Sequence, residues 1–190
     1  MKTKTNYKWL IKIVLISIVA SMVFTLASTE VIGQTGYAVA FAALAVFITA
    51  GIIFDVIGVA VTAATEAPFH SMAAHHERGA AESLRLIKNA EKVTSFCNDV
   101  VGDISGIVSG ATAAFIATRL MEGLGAENVL LPLLISGAVS GLMVGGKAVG
   151  KTYAFNNSTH IVLRIGKLVN VAHGVFHFKP HRDRNDKFYK

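Results

Sequence analysis

The chain has 190 residues, 53% of them hydrophobic and 16% charged, with a mean hydropathy of +0.53. A soluble domain carries about 25% charged residues, so the composition excludes an ordinary cytosolic domain, and it equally excludes a disordered chain, which needs low hydrophobicity and high net charge. The lone cysteine, Cys97, excludes an internal disulfide framework, and the net charge of +6 points either to nucleic acid or to charge asymmetry across a bilayer.

Four stretches approach the roughly 20 apolar residues that a membrane span needs. The first runs from about Trp9 to Ala27, with Lys12 near its start. Its basic flank invites a competing reading as a secretory signal peptide. No A-x-A site precedes Glu30, however, and the apolar run is long for such a segment. The second stretch runs from about Tyr37 to Ala64 and carries only Asp55; the third, from about Val93 to Thr118, carries Asp99 and Asp103. The fourth, from about Val129 to Val149, has Lys147 near its end.

Basic residues set the orientation. Lys2, Lys4, Lys8 and Lys12 open the first span; Arg78, Arg85, Lys88 and Lys92 lie between the second and third; eight more, from Lys151 to Lys190, follow the fourth. Sixteen of the 18 therefore fall on one side of a four-span arrangement with both termini cytoplasmic. The positive charge is then chiefly a topology signal, with membrane lipid rather than nucleic acid as the partner.

Between the second and third spans, Pro68 to Glu91 is polar and helix-friendly, and Gly79 predicts a break before a helix over Ala80 to Asn89. This reads as a cytoplasmic helical hairpin. After the fourth span, Ile161, Ile165, Leu168, Ala172 and Val175 recur at helical spacing opposite Arg164 and Lys167. That predicts an amphipathic helix lying on the membrane surface or packed against the bundle.

Ionisable groups inside a span are costly and usually face the bundle interior. On a continuous helix Asp55, Thr62 and Glu66 share a face. In the third span Ser95, Asp99, Gly102, Asp103, Gly106 and Gly110 share another, with Asn98 beside it and Ser105 and Ser109 on its flank. If the two faces meet, several carboxylate, amide and hydroxyl oxygens converge, the ligand set of a hard cation such as Mg²⁺. The alternative is structural, with Asp99 and Asp103 paired to Lys147. Gly102, Gly106 and Gly110, and likewise Gly137, Gly141 and Gly145, form G-x-x-x-G ridges. Such ridges serve close packing within the bundle or a dimer interface.

Two motifs are decoys. Gly145 to Thr152 matches G-x-x-x-x-G-K-[ST], but it ends an apolar helix rather than linking a strand to a helix, so no nucleotide is expected. His70, His75, His76 and Glu77 cluster without an H-E-x-x-H pattern and read as solvated or interfacial. Cys97 reads as a small packing residue. No nucleophile–base constellation is present, so an enzyme is not expected.

The order of features from Asp55 to Phe178 resembles the transmembrane domain of the CNNM/CorC family of magnesium transport proteins. Thr62-Ala63-Ala64-Thr65-Glu66-Ala67 is similar to the family's small-and-acidic stretch. The hairpin carries Glu77-Arg78-Gly79-Ala80 and Leu84-Arg85-Leu86-Ile87, and the next span carries Ser95, Asn98, Asp99 and Asp103. Gly146 to Ala154 stands where the family has G-E-x-x-P-K, with Lys147 for its Glu and Gly150 for its Pro, and Thr159 to Phe178 stands for the belt helix. With the four apolar stretches, this gives an all-α polytopic membrane bundle of about four transmembrane helices with a cytoplasmic hairpin and an amphipathic belt helix, divided as an N-terminal helix and external loop (1–36) that the family domain lacks, a CNNM-like domain (37–178) and a polar cytoplasmic tail (179–190). The resemblance implies a homodimer in a bacterial inner membrane that carries Mg²⁺ or another divalent cation. Glu66, Ser95 and Asn98 would line a pocket at the dimer centre, and Asp55, Thr62, Asp99 and Asp103 would join them. The CBS pair and C-terminal domain usual in the family find no counterpart in these residues, so adenine-nucleotide regulation is not expected. Lys147, standing for a carboxylate, would neutralise the site, which makes a non-transporting scaffold or partner subunit the second expectation.

Overall fold

The computed structural model describes residues 7–34, 36–125 and 130–175. The described residues are almost wholly helical and contain no strand. Helix α1 spans Tyr7–Gln34, α2 Tyr37–Ala63, α3 Glu66–Ala74, α4 Ala80–Lys88 and α5 Ala90–Thr94. A π-helical segment, Ser95–Gly102, then runs without a break into α6, Asp103–Leu124; α7 spans Leu130–Asn156 and α8 Ser158–Val175. The expected polar tail, 179–190, lies outside the described residues, as do the last positions of the expected belt helix.

Three helices are long and apolar enough to cross a membrane: Tyr37–Ala63, the continuous Ala90–Gly123, and Leu130–Asn156. In α1 the described apolar stretch is Ile11–Leu26. The expected second, third and fourth stretches thus coincide with helices; the second ends at Ala63, and the third and fourth run a few residues further into their polar flanks.

Helix α2 is the hub. It packs on α6, the π-segment, α7, α5 and α8. One apolar cluster joins Ala40 and Leu44 to Ala113, Ile116 and Val139. Another, toward the opposite end of α2, joins Ala60, Val61 and Ala64 to Phe69, Ala154 and Val162. A third places Val100, Ile104 and Val108 against Ile13, Ala20 and Phe47, which seats α1 on α6. In lipid, apolar contact alone supplies little net drive, so close backbone approach has to do so. Glycine provides it. A Cβ on Gly146 would collide with Ile52, and one on Gly150 would stand 2.6 Å from Val56 Cγ2. The expected ridges are used differently: Gly137, Gly141, Gly145 and Gly110 have nothing within 4 Å of a Cβ position. Close packing along α2 therefore runs through Gly51, Gly58, Gly146 and Gly150.

The hairpin forms as Gly79 predicts. Gly79 sits in the left-handed region at φ 84°, which L side chains resist, and a Cβ there would also stand 2.5 Å from Lys167 N. Helix α8 docks on the hairpin at this point. Ser83 Oγ donates to the Gly79 carbonyl at 2.8 Å or to the Val162 carbonyl at 3.1 Å, Lys167 pairs with Glu77 at 3.2 Å, and Asn170 Nδ2 donates to Glu82 at 2.9 Å. The residues expected on the apolar face of α8 divide between the bundle and the outside. Val162 and Gly166 are the buried residues, Ile161 and Ile165 are only partly buried, and Leu168 and Ala172 point outward beside Val171.

Candidate intramembrane polar site

Among the described residues Asp55 is the one buried charged side chain, 4% exposed. It lies eight residues before the end of α2, about 12 Å along the helix at 1.5 Å per residue. Its Oδ2 stands 3.9 Å from Lys151 Nζ, close enough for Coulomb attraction and too far for a hydrogen bond. The same oxygen has no hydrogen-bond donor among the described residues. A buried carboxylate is tolerable only when paired and hydrogen-bonded. Here the pairing is loose, and the Lys151 side chain is 50% exposed.

One turn along α2, Gly58 leaves room for Asn98 of the π-segment. A Cβ at Gly58 would collide with Asn98 Oδ1 and stand 3.3 Å from Cys97 Cβ, so the amide rests on bare α2 backbone. Asn98 Oδ1 is a second buried acceptor without a donor. A further turn on, Thr62 Oγ1 and Thr94 Oγ1 stand 2.9 and 3.0 Å from the Gly58 carbonyl and 2.7 Å from each other. Two hydroxyl hydrogens thus serve three mutually adjacent oxygens. Buried Ser105, Ser109 and Thr112 extend the seam into α6, and Ser109 Oγ and Thr112 Oγ1 also lack partners among the described residues.

From α7, Lys147 reaches toward the π-segment. Its Nζ lies 3.5 Å from the Cβ position of Gly102, and it makes no ion pair among the described residues. The lysine that meets a buried carboxylate is Lys151, one turn further on.

The expected convergence of carboxylates is corrected in two places. Helix α2 stops at Ala63, and Ala64 and Thr65 are extended at ψ 139° and 149°. Glu66 therefore leaves the face of Asp55 and Thr62 to open α3, where it pairs with His70 at 3.3 Å. Asp99 and Asp103 are exposed, while Asn98, Gly102, Ser105 and Ser109 face the bundle or sit on its inner flank. Each π turn takes in one residue more than an α turn, so an α-helical wheel misassigns the faces on either side of it. Ser95 opens the segment half-buried. Among the described residues no three His, Cys, Asp or Glu side chains come together. His75 and His76 are exposed, Cys97 is buried, and Gly145 to Thr152 lies wholly within α7.

Sequence reasoning missed Gly58, Thr94 and Lys151 as site residues. Their signals were present: Gly58 is three residues from Asp55, Thr94 is four from Asn98, and Lys151 is four from Lys147. No known protein family, curated protein or solved structure matches the chain.

Proposed function

We propose that the chain is a small cation carrier of the inner membrane, crossing it four times with both termini cytoplasmic and working as a homodimer. Its cargo is a hard divalent cation of the Mg²⁺ type. The observation that carries this reading is the pair of donorless buried oxygens, Asp55 Oδ2 and Asn98 Oδ1, at successive turns of one seam. The Gly58 carbonyl and the Thr62 and Thr94 hydroxyls continue the row of oxygens. Carboxylate, amide, carbonyl and hydroxyl oxygens suit such an ion, and irregular helix at membrane depth is where transporters commonly build their sites. Outward-facing Asp99 and Asp103 support self-association, because lipid is a poor solvent for carboxylates. The CNNM/CorC resemblance favours the same cargo.

The test is Mg²⁺ entry into proteoliposomes loaded with a fluorescent Mg²⁺ indicator. The wild type should accelerate entry over empty vesicles, and Asp55→Asn and Asn98→Leu should abolish the gain. Entry at the rate of empty vesicles for the wild type, or wild-type entry in Asp55→Asn, would end this reading. One observation favours a non-transporting partner subunit instead: an ammonium already stands 3.9 Å from Asp55. In that role the protein would bind no cation, and Lys151→Gln would destabilise it by leaving the carboxylate alone.

A further inference from the structure

We infer that Lys151 is a built-in competitor for the cation at Asp55, holding the carboxylate when the site is empty and withdrawing when a metal ion enters. This rests on the carrier reading. The two ends of the pair differ in surroundings: the Asp55 side chain is 6% exposed and that of Lys151 50%. Asp55 is fixed in the packed face of α2, next to the Gly146 and Gly150 contacts that clamp α2 to α7. Lys151 lies five residues before the end of α7, and its flexible four-carbon stem can carry the charge out to water. The 3.9 Å separation gives attraction without the directional hydrogen bond that would lock the ammonium in place.

Charge makes withdrawal a condition of binding rather than an accompaniment. Lys147 and Lys151 bring two positive charges toward this end of the seam, against the single buried negative charge of Asp55. A divalent ion arriving beside both ammoniums would meet net repulsion. With Lys151 withdrawn, it meets a carboxylate and the oxygens of Asn98, Thr62 and Thr94 with one ammonium fewer. The lysine therefore scales the apparent affinity down to the fraction of molecules in which it has left Asp55. It also keeps the empty site from trapping a bare carboxylate in the membrane.

The experiment uses the full chain purified in detergent, titrated calorimetrically with Mg²⁺ and with Mn²⁺. Lys151→Gln is expected to tighten binding about tenfold or more, Lys151→Arg to leave it at or below the wild-type value, and Asp55→Asn to remove it. A second measurement needs no variant: reaction of Lys151 with an amine-selective reagent, followed by mass spectrometry, should speed up at saturating Mg²⁺. Unchanged or weaker binding in folded Lys151→Gln would overturn the inference while leaving the carrier reading standing. So would Lys151 labelling indifferent to Mg²⁺ in a wild type that binds it. Binding by Lys151→Gln but not by the wild type would support the competitor role and move the native protein to the non-transporting reading. No binding by either would overturn both. If Lys151→Gln does not fold, the labelling of the wild type decides.

Discussion

Replacing Gly58 with alanine tests the seam at its narrowest point. In an open helix Gly→Ala gains about 1 kcal/mol of helix propensity. At position 58 the added Cβ would collide with Asn98 Oδ1 and stand 3.0 Å from Asn98 Cγ and 3.3 Å from Cys97 Cβ. The amide end can swing aside, but Cys97 Cβ is fixed to the π-segment backbone, so α2 and that segment must part by a few tenths of an ångström. Overpacking of this kind costs about 1–3 kcal/mol. The Thr94 bond to the Gly58 carbonyl, already 3.0 Å, stretches with it, and a typical hydrogen bond is worth about 1 kcal/mol. The net expectation is destabilisation by about 1–3 kcal/mol. Gly110→Ala is the control, because nothing lies within 4 Å of its Cβ position; it should be neutral or stabilising by up to about 1 kcal/mol. Reversible unfolding in mixed micelles titrated with SDS measures both. A Gly58→Ala protein as stable as Gly110→Ala would refute the close approach of α2 to Asn98.

Ser83→Ala removes a buried hydroxyl that lies within reach of two carbonyls, at 2.8 and 3.1 Å. It should cost about 1–3 kcal/mol and speed proteolysis within α8, whereas Lys167→Ala, at an exposed pair, should cost about 0–1 kcal/mol. Equal effects of the two would count against the α8 docking. Phe69→Ala empties a fully buried site where the hairpin meets α2; a loss of about 3–5 kcal/mol is expected in the same unfolding assay, and a loss near zero would contradict that burial. Cys97 is buried, so a maleimide should label native membranes slowly and SDS-denatured protein fast. Equal rates would contradict its position at the α2 seam.

Much of the fold was legible because span length and apolar runs are local properties. The boundaries near Tyr37 and Ala63, and the hairpin break at Gly79, followed directly from them. The site was legible in residue type but not in placement. Of the carboxylates that the sequence places in or beside spans, Asp55 is the buried one. Glu66 was not separable from it, because nothing in the periodicity signals that the chain turns extended at Ala64. An α-helical wheel turns Asp99 and Asp103 inward, and that wheel does not hold across Ser95–Gly102. Lys151 reads in the sequence as one more basic residue of the cytoplasmic side. Its reach back to Asp55 depends on the glycine-lined approach of α7 to α2, which composition does not encode.

The π-segment has a consequence for chain length. An α-helix packed on both sides cannot lose a residue without turning everything beyond the cut by about 100°. Ser95–Gly102 carries surplus residues relative to an α path. One residue removed there can be absorbed as the wide turn tightens, leaving α6 on α2 and the hairpin on α8. The same deletion in α2 or α7 has no such reserve. Length variation in this bundle should therefore collect beside Asn98, where it would retune the site without dismantling the helices around it.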